Sequence, residues 1–136
     1  MDIMDFKILN TAIERILNQE MAELDITYTQ ATVIGYLNRN QESEICQKDI
    51  EHGLGLTHPT VSSILNRLEE KKLIMTEPLE SDRRYKKIVL TKKSASMTSA
   101  IREKIERIEE QVFYGLRKEE IKTLSTVIDR LIKNIT

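Results

Sequence analysis

Short polar side chains are concentrated between positions 57 and 67, and they are the residues of this chain best suited to chemistry. They combine four hydroxyl groups with one imidazole, one carboxamide and one guanidinium, on Thr57, His58, Thr60, Ser62, Ser63, Asn66 and Arg67. Hydroxyl groups contact bases or phosphates, Asn pairs with adenine, and Arg binds guanine or phosphate. This combination indicates contacts with a nucleic acid, to which the small side chains allow a close backbone approach.

A second candidate group lies at 80–84 and ends in two adjacent arginines. On a protruding turn, Arg83 and Arg84 are suited to the minor groove, whose negative potential attracts guanidinium groups. Asp82 can accept hydrogen bonds from an arginine and hold it extended. The alternative for this short motif is a charged turn that is simply solvated.

Three side chains, Cys46, His52 and His58, are the only ones that resemble soft metal ligands or a nucleophile with its base. Their even spacing matches no common zinc pattern. The chain also has no Gly-rich phosphate loop and no nucleophile elbow. We therefore expect no enzyme activity, no metal site and no cofactor. Cys46 follows Ile45 in a short apolar pair, which favours a buried structural thiol over a redox sensor.

The composition favours a mainly helical protein of one domain. The chain has 136 residues, of which 32% are charged and 4% aromatic, with 4 Gly, 2 Pro and 1 Cys. An all-β fold needs more turn, β-branched and aromatic residues. No apolar run approaches the roughly 18 residues of a membrane span, and the first residues lack the pattern of a signal peptide. We therefore expect a cytoplasmic protein with no membrane partner.

Charge is distributed unevenly along the chain. Residues 57–93 carry 9 basic and 5 acidic side chains, a balance of +4, whereas the balance is -6 over 1–56 and +1 over 94–136. A basic middle segment indicates a local surface that binds anions, with nucleic acid as the first candidate. Chance variation along the chain is the alternative.

Hydrophobic periodicity predicts the first three helices that position these groups. A helix over 2–24 is followed by one that begins at Thr27, with Gln30 as the other half of a capping box. After a polar loop over 38–43, a short helix starts at 47 and is predicted to end at Gly53. The pair Ile45-Cys46 is compatible with a single β-bridge.

The stretch at 57–68 is predicted to be a helix with one buried and one polar face. Thr57 is a suitable N-cap, and Pro59 lies in the first turn, where a missing N–H costs nothing. Aliphatic residues recur at i, i+3, i+4 and i+7, at Val61, Ile64, Leu65 and Leu68. The opposite face carries Pro59, Ser62, Ser63 and Asn66, with Thr60 and Arg67 on one flank. An ordinary surface helix is the alternative, but its polar face would more often carry Glu and Lys pairs.

A hairpin and two further helices complete the chain. Strands are predicted at 73–75 and 85–90, joined by a polar turn over 78–84. Thr91 caps a long helix, and a last helix starts at 117–120. The long helix has an apolar seam at Ile101, Ile105, Ile108, Val112 and Leu116. This order of elements predicts a mainly α fold, a winged helix-turn-helix with a small β-hairpin wing.

The sequence resembles the MarR (multiple antibiotic resistance regulator) family of bacterial transcriptional regulators. The stretches that carry the resemblance are LTHPTVSSILNRLEEKKLI at 56–74, SDRR at 81–84 and IVLTKK at 88–93. The helical flanks fit the same family, so the resemblance covers essentially the whole chain. The family usually has glycine at the position of Lys72, where it eases a left-handed helix end. It often has glycine at the position of Ser94, where it eases a turn.

The resemblance implies a repressor that binds an inverted-repeat operator in double-stranded DNA as a homodimer. It implies an N-terminal dimerisation helix at 1–26, a DNA-binding region at 27–93 and C-terminal dimerisation helices at 94–136, all within one compact domain. It places DNA contacts on the polar residues of 57–67, on Asp82, Arg83 and Arg84, and on Gln47 and Lys48, where free N–H groups at a helix start aid phosphate binding. The dimerisation residues implied are Phe6, Leu9, Ile13, Ile121, Leu124, Ile128 and Leu131. Many family members also bind a small, often anionic or phenolic ligand.

Two alternatives remain open from the residues themselves. The apolar seam at 121–135 is compatible with core packing inside one chain as well as with a dimer interface. A winged helix can also serve as a protein-interaction module without DNA binding, although acidic or apolar residues would then be expected on the exposed face of 57–67.

Overall fold

The computed structural model describes all residues from 1 to 136. Its elements are α1 (Ile3–Ala22), α2 (Tyr28–Arg39), α3 (Gln47–Leu54), α4 (His58–Glu70), β1 (Ile74–Pro78), β2 (Lys86–Leu90), α5 (Lys92–Val112) and α6 (Lys118–Ile135). The two strands form one antiparallel hairpin. The order of elements confirms the predicted fold class, a mainly α winged helix-turn-helix. No helix combines the length and the apolar character needed to cross a bilayer.

The start of α2 is fixed by the predicted capping box. The backbone N–H of Thr27 donates to Gln30 Oε1 at 3.1 Å, and the N–H of Gln30 donates to Thr27 Oγ1 at 3.1 Å. Gln30 is buried, and its Oε1 also accepts a hydrogen bond from Lys71 Nζ at 3.0 Å. The C-cap residue of α4, Lys71, is thereby attached to the first turn of α2.

The end of α3 differs from the sequence prediction, which placed it at Gly53. The helix continues to Leu54 and ends at Gly55, whose φ of 64° is left-handed. Gly53 instead lies where α3 packs closely on α2, because a Cβ at that position would be 2.4 Å from Tyr36 Cε2. The need for glycine at 53 is therefore steric, whereas the helix stop requires the backbone freedom of Gly55.

The hairpin pairs Ile74 with Leu90 at its base and Pro78 with Lys86 at its outer end. The first strand extends three residues beyond its predicted end at 75, and Pro78 is tolerated because it closes a two-stranded ladder. The N–H of Ile88 donates to the carbonyl of Ile45 at 2.7 Å. This hydrogen bond joins the segment before α3 to the hairpin, but Ile45 and Cys46 form no β-bridge, so that expectation is wrong.

The structure at the base of the hairpin shows how Lys72 and Ser94 are accommodated at the two positions where the MarR family favours glycine. Lys72 has φ 62°, so the left-handed helix end is kept with a lysine. Ser94 lies in the first turn of α5 and is fully buried, and its Oγ donates to the carbonyl of Leu73 at 2.7 Å. Position 94 is therefore not a turn, and its hydroxyl anchors α5 to the start of the hairpin.

The core lies where α2, α3 and α4 meet the hairpin and parts of α1 and α5. It is a cluster of 16 buried apolar side chains, among them Val33, Ile34, Ile50 and Leu68. The apolar seam of α5 enters it only in part, because Leu116 lies beyond the helix and is 42% exposed. The core thus belongs mainly to the central part of the chain.

The seam of α6 does not enter this core. Leu124, Ile128 and Leu131 are 41%, 39% and 39% exposed, and no packed interface joins α6 to another element. The intrachain alternative for this seam is therefore wrong. The N-terminal half of α1 also leaves apolar side chains at the surface, including Phe6 and Leu9.

The C-terminal end of α1 is joined to α5 by a buried cation. Lys104 is 7% exposed, and its ammonium group contacts Glu23 and lies 3.7 Å from Glu20 Oε1. The hydrogen bond and the charge of Lys104 lower the pKa of Glu23. This contact fixes the long α1 helix relative to the central core.

Candidate nucleic-acid interface

The orientation of α4 is set by its apolar face. Val61, Ile64, Leu65 and Leu68 are all buried, as their spacing predicted. The opposite face is left at the surface, where Thr57, His58, Thr60, Ser63, Asn66 and Arg67 are exposed and Ser62 is half-buried. We call these seven residues the polar face of α4.

The first turn of α4 has no side-chain cap. Thr57 has the extended backbone of an N-cap, but its hydroxyl donates to Thr60 Oγ1 at 2.9 Å rather than accepting a backbone hydrogen bond. The predicted position of the cap is right and the predicted role of its hydroxyl is wrong. The uncapped amides of this turn and the positive end of the helix dipole are suited to an anion.

Gln47 is placed differently from the expectation that it contacts phosphate. Its Nε2 donates to Ser62 Oγ at 2.8 Å and lies 3.4 Å from the carbonyl oxygen of His58. The Gln47 side chain therefore attaches α3 to α4, while Ser62 keeps its own hydroxyl hydrogen for another acceptor. Lys48, the next residue, is exposed and remains available to a phosphate.

Glu51 belongs to this surface, although the sequence did not single it out. Its Oε2 lies 2.7 Å from His58 Nδ1. The signal was present in the spacing, because Glu51 follows Gln47 by four residues and so shares its face of α3. The sequence alone does not show that this face meets the first turn of α4.

The wing tip holds one arginine and leaves the other unpaired. Asp82 and Arg84 form a bidentate salt bridge, in which Arg84 Nη2 donates to Asp82 Oδ2 at 2.8 Å and Arg84 Nε donates to Asp82 Oδ1 at 3.1 Å. These hydrogen bonds lower the pKa of Asp82 and raise that of Arg84. The guanidinium of Arg84 also lies 5.9 Å from the centre of the Tyr85 ring. Arg83 is exposed and has no ion pair, so its guanidinium is free.

Arg67, at the far end of the polar face, has only a weak partner. Its Nη1 lies 3.9 Å from Glu70 Oε2, and both side chains are more than two-thirds exposed. An exposed pair at this distance contributes little. The Arg67 guanidinium can therefore exchange this carboxylate for a base or a phosphate.

Cys46 caps the start of α3 rather than lying fully buried. The residue is half-buried, and its thiol donates to Asp49 Oδ2 at 3.2 Å. The same Asp49 oxygen accepts the backbone N–H of Cys46 at 2.9 Å. The structure holds no group of three His, Cys, Asp or Glu side chains that could hold a metal ion.

The residues expected at a dimer interface lie far along the chain from α4, on α1 and α6. All seven are present on two apolar stripes, with Ile13 and Ile121 half-buried and the others exposed: Phe6, Leu9, Ile13, Ile121, Leu124, Ile128 and Leu131. They take no part in the surface formed by α3, α4 and the wing.

A cavity of about 410 Å³ lies between α2 and α5. Its apolar lining includes Ile34, Ile101 and Ile105. Two arginines, Arg39 and Arg102, and two glutamates, Glu106 and Glu109, complete its wall. None of these four charged groups has an ion pair within the chain.

Comparisons with known proteins agree on one family. A sequence model described as the MarR family matches residues 24–84. The chain is 31% identical to the transcription regulator MarR from Oenococcus oeni PSU-1, with a TM-score of 0.77 over 94% of this chain and 96% of that one. It is 27% identical to MepR of S. aureus in a MepR-DNA complex, with a TM-score of 0.88 over 96% and 94% of the two chains. A MarR family regulator from Listeria monocytogenes in complex with a 26mer DNA shares the fold, with a TM-score of 0.84 at 22% identity over 99% of this chain and 89% of that one.

The ion pair at the wing tip should persist at every pH above about 4. Because Arg84 holds the pKa of Asp82 below its ordinary value of about 3.9, the pair is lost only when the pH falls through that lowered value. A carboxyl ¹³C NMR titration should give an Asp82 midpoint below about 3.9 in the wild type and a higher one in Arg84→Ala, which loses the guanidinium but keeps the backbone N–H that donates to Asp82 Oδ1. Arg83→Ala is the matched control and should keep the wild-type midpoint. An Asp82 midpoint that does not respond to Arg84→Ala would contradict the pairing.

Proposed function

Because this chain belongs to the MarR family of transcription regulators, we propose that it is a homodimeric repressor that binds an inverted-repeat operator in double-stranded DNA. We place it in the cytoplasm and assign it no catalytic activity. In this proposal a small anionic or phenolic ligand releases the protein from its operator.

The observation that carries the proposal is the polar face of α4. A major groove admits one α-helix, and short hydroxyl and amide side chains can approach its base edges. Ser63 and Asn66 are exposed near the middle of α4, on the side away from the core. They are therefore the residues we assign to base recognition, with Arg67 beside them.

The wing is assigned a different kind of contact. Arg83 and Arg84 lie beyond the outer end of the hairpin, where guanidinium groups can reach phosphates and the minor groove but few distinctive base edges. Asp82 holds Arg84 extended through the bidentate salt bridge. The wing thus contributes affinity for any sequence, and α4 contributes the choice of sequence.

Substitutions in the two regions should therefore have different effects on DNA binding. Arg83→Ala or Arg84→Ala should weaken binding to all duplexes and reduce the slope of log K against log salt by roughly 0.9 per phosphate contact in each subunit. Asn66→Ala or Ser63→Ala should cost roughly 1–3 kcal/mol per half-site on the operator, with little change in slope. The measurement is a salt titration on an operator duplex and on a scrambled duplex.

Arg107→Ala is the control for these titrations, because Arg107 is an exposed arginine on α5, remote in sequence from α4 and the wing. Equal losses on both duplexes with the same change in slope would contradict the division between helix and wing. If no variant loses affinity, the DNA-binding proposal is contradicted, and the alternative of a protein-interaction module is favoured.

A second copy of the chain is proposed to cover the apolar stripes of α1 and α6. The side chains left at the surface of α6 include Leu131 at 39%, Ile132 at 51% and Ile135 at 86% exposed. Monomeric proteins rarely expose large contiguous apolar patches. In the proposed dimer, a twofold axis brings the stripes of both copies into a self-complementary interface.

Leu131→Asp should therefore weaken the dimer. A carboxylate in an apolar interface costs several kcal/mol, and the symmetric dimer would contain two. Sedimentation at roughly 10 μM should give a dimer of the 15.8 kDa chain for the wild type and a larger monomer fraction for the variant. Thr126→Asp, an equal charge on the exposed face of α6 opposite the apolar stripe, is the control and should remain dimeric. A stable wild-type monomer at this concentration would contradict the proposal.

The cavity between α2 and α5 is the proposed ligand site. Its volume of about 410 Å³ suits a small organic molecule. Arg39 and Arg102 supply guanidinium groups for a carboxylate or phenolate, and the isoleucines supply an apolar wall. Since α2 also packs on α3 and α4, a ligand that moves α2 relative to α5 shifts the polar face of α4.

An aromatic anion should therefore weaken operator binding more than its neutral counterpart. Benzoate and benzamide have nearly the same shape and differ in charge, so benzoate should release DNA at lower concentration. Arg102→Gln should remove most of that difference, whereas Arg107→Gln, which lies outside the cavity wall, should preserve it. Equal release by both compounds would refute the proposed anion preference.

A further inference from the structure

A mostly buried carboxylate lies against an exposed imidazole at the start of α4. Glu51 Oε2 is 2.7 Å from His58 Nδ1, and the two side chains are 16% and 71% exposed respectively. Gln47 Nε2 lies 3.1 Å from the same ring nitrogen. One atom of His58 is thus enclosed by two side chains of α3, while the rest of the ring faces outward from the polar face.

The position of the hydrogen on the His58 ring follows from these contacts. An ionised carboxylate can only accept hydrogen bonds, so the short contact with Glu51 requires a hydrogen on Nδ1. The amide hydrogens of Gln47 are then directed to Ser62 Oγ and to the carbonyl of His58. Nε2 is the remaining ring nitrogen, and it has no partner within the chain.

We propose that Glu51 is a positioning residue that fixes the tautomer of His58. Nε2 is then the ring nitrogen that contacts DNA, and it accepts a hydrogen bond when the ring is neutral and donates one when the ring is protonated. The neutral ring presents a lone pair at Nε2, which suits the amino groups of adenine or cytosine. The protonated ring presents an N–H, which suits guanine N7 and O6 or a phosphate. This inference rests on the proposed function and adds to it a residue that determines base preference.

The charges around His58 couple its protonation to DNA binding. DNA phosphates attract the protonated, positively charged form of the ring. Binding of DNA is therefore accompanied by proton uptake, and affinity increases as the pH falls.

The other charged groups of the neighbouring elements are placed to act more weakly. On α3, Asp49 is bonded to Cys46, and Lys48 and His52 form the next i, i+4 row beside Gln47 and Glu51. On α4, the first charged residue after His58 is Arg67.

The charged groups of the two other elements packed on α4 have no ion pair with His58. Arg39 of α2 lines the cavity with α5, and Glu77 of β1 lies 3.5 Å from Lys87. Glu51 is the only carboxylate within 4 Å of a His58 ring nitrogen.

The first experiment measures the tautomer in the free protein. Long-range ¹⁵N–¹H NMR of the imidazole at pH 8 should find the hydrogen of His58 on Nδ1. Glu51→Gln keeps the size of the side chain but removes its charge, and should move a large share of that hydrogen to Nε2. A wild-type ring protonated mainly on Nε2 would overturn the proposal whether or not DNA is bound.

The second experiment measures operator affinity at pH 6 and pH 8 at constant ionic strength, with a duplex that the wild-type protein selects from a random library. The wild type should bind at least about tenfold more tightly at pH 6 than at pH 8, because histidine is the side chain that ordinarily titrates in this range. His58→Gln should abolish most of this change. His52→Gln, the other histidine of the chain, is the control and should retain it.

The outcomes separate this inference from the proposed function. Selection at pH 6 and at pH 8 should give different preferred bases at one position of each half-site for the wild type and not for His58→Gln. Specific binding that does not change with pH, or a change that survives in His58→Gln, overturns the role of His58 alone. A wild-type protein that binds no duplex at either pH overturns the proposed function together with it.

Discussion

Burial of the four aliphatic side chains of α4 is the constraint on which the rest of the surface depends. Each such side chain contributes roughly 1.5–3 kcal/mol when it is fully removed from water. A rotation of α4 by one residue position would expose these groups and bring Ser62 or Asn66 into the core. The hydrophobic effect therefore fixes which side chains face outward, and the hydrogen bonds to α3 refine their positions.

The hairpin depends on the same core for its direction. Leu73, Ile74 and Ile88 are buried at its base, and the hydroxyl of Ser94 ties the first turn of α5 to the carbonyl of Leu73. The outer half of the hairpin has no such support, and most of its side chains are exposed. The firmly held base allows the charged tip with the wing arginines to extend beyond the core.

The terminal helices follow a different physical rule. In the central part of the chain each apolar face finds a partner within the chain, whereas the stripes on α1 and α6 do not. The buried Lys104 holds the C-terminal end of α1 against α5, because a buried ammonium group must keep its carboxylate partners.

The sequence by itself determined the fold class, the order of the elements and the two faces of α4, because these follow from local periodicity and from caps such as Thr27 with Gln30. It also indicated the pairing of Asp82 with an arginine, since both lie in one short turn. It misplaced the end of α3, because the reason for glycine at 53 is the ring of Tyr36, which only packing brings near. It left the α6 seam undecided, since spacing does not show what covers an apolar stripe. Only the tertiary structure decided which polar groups of the surface are free. Gln47 contacts Ser62, 15 positions away, and Glu51 contacts His58, 7 positions away. These contacts exist only because both helices pack on the same core.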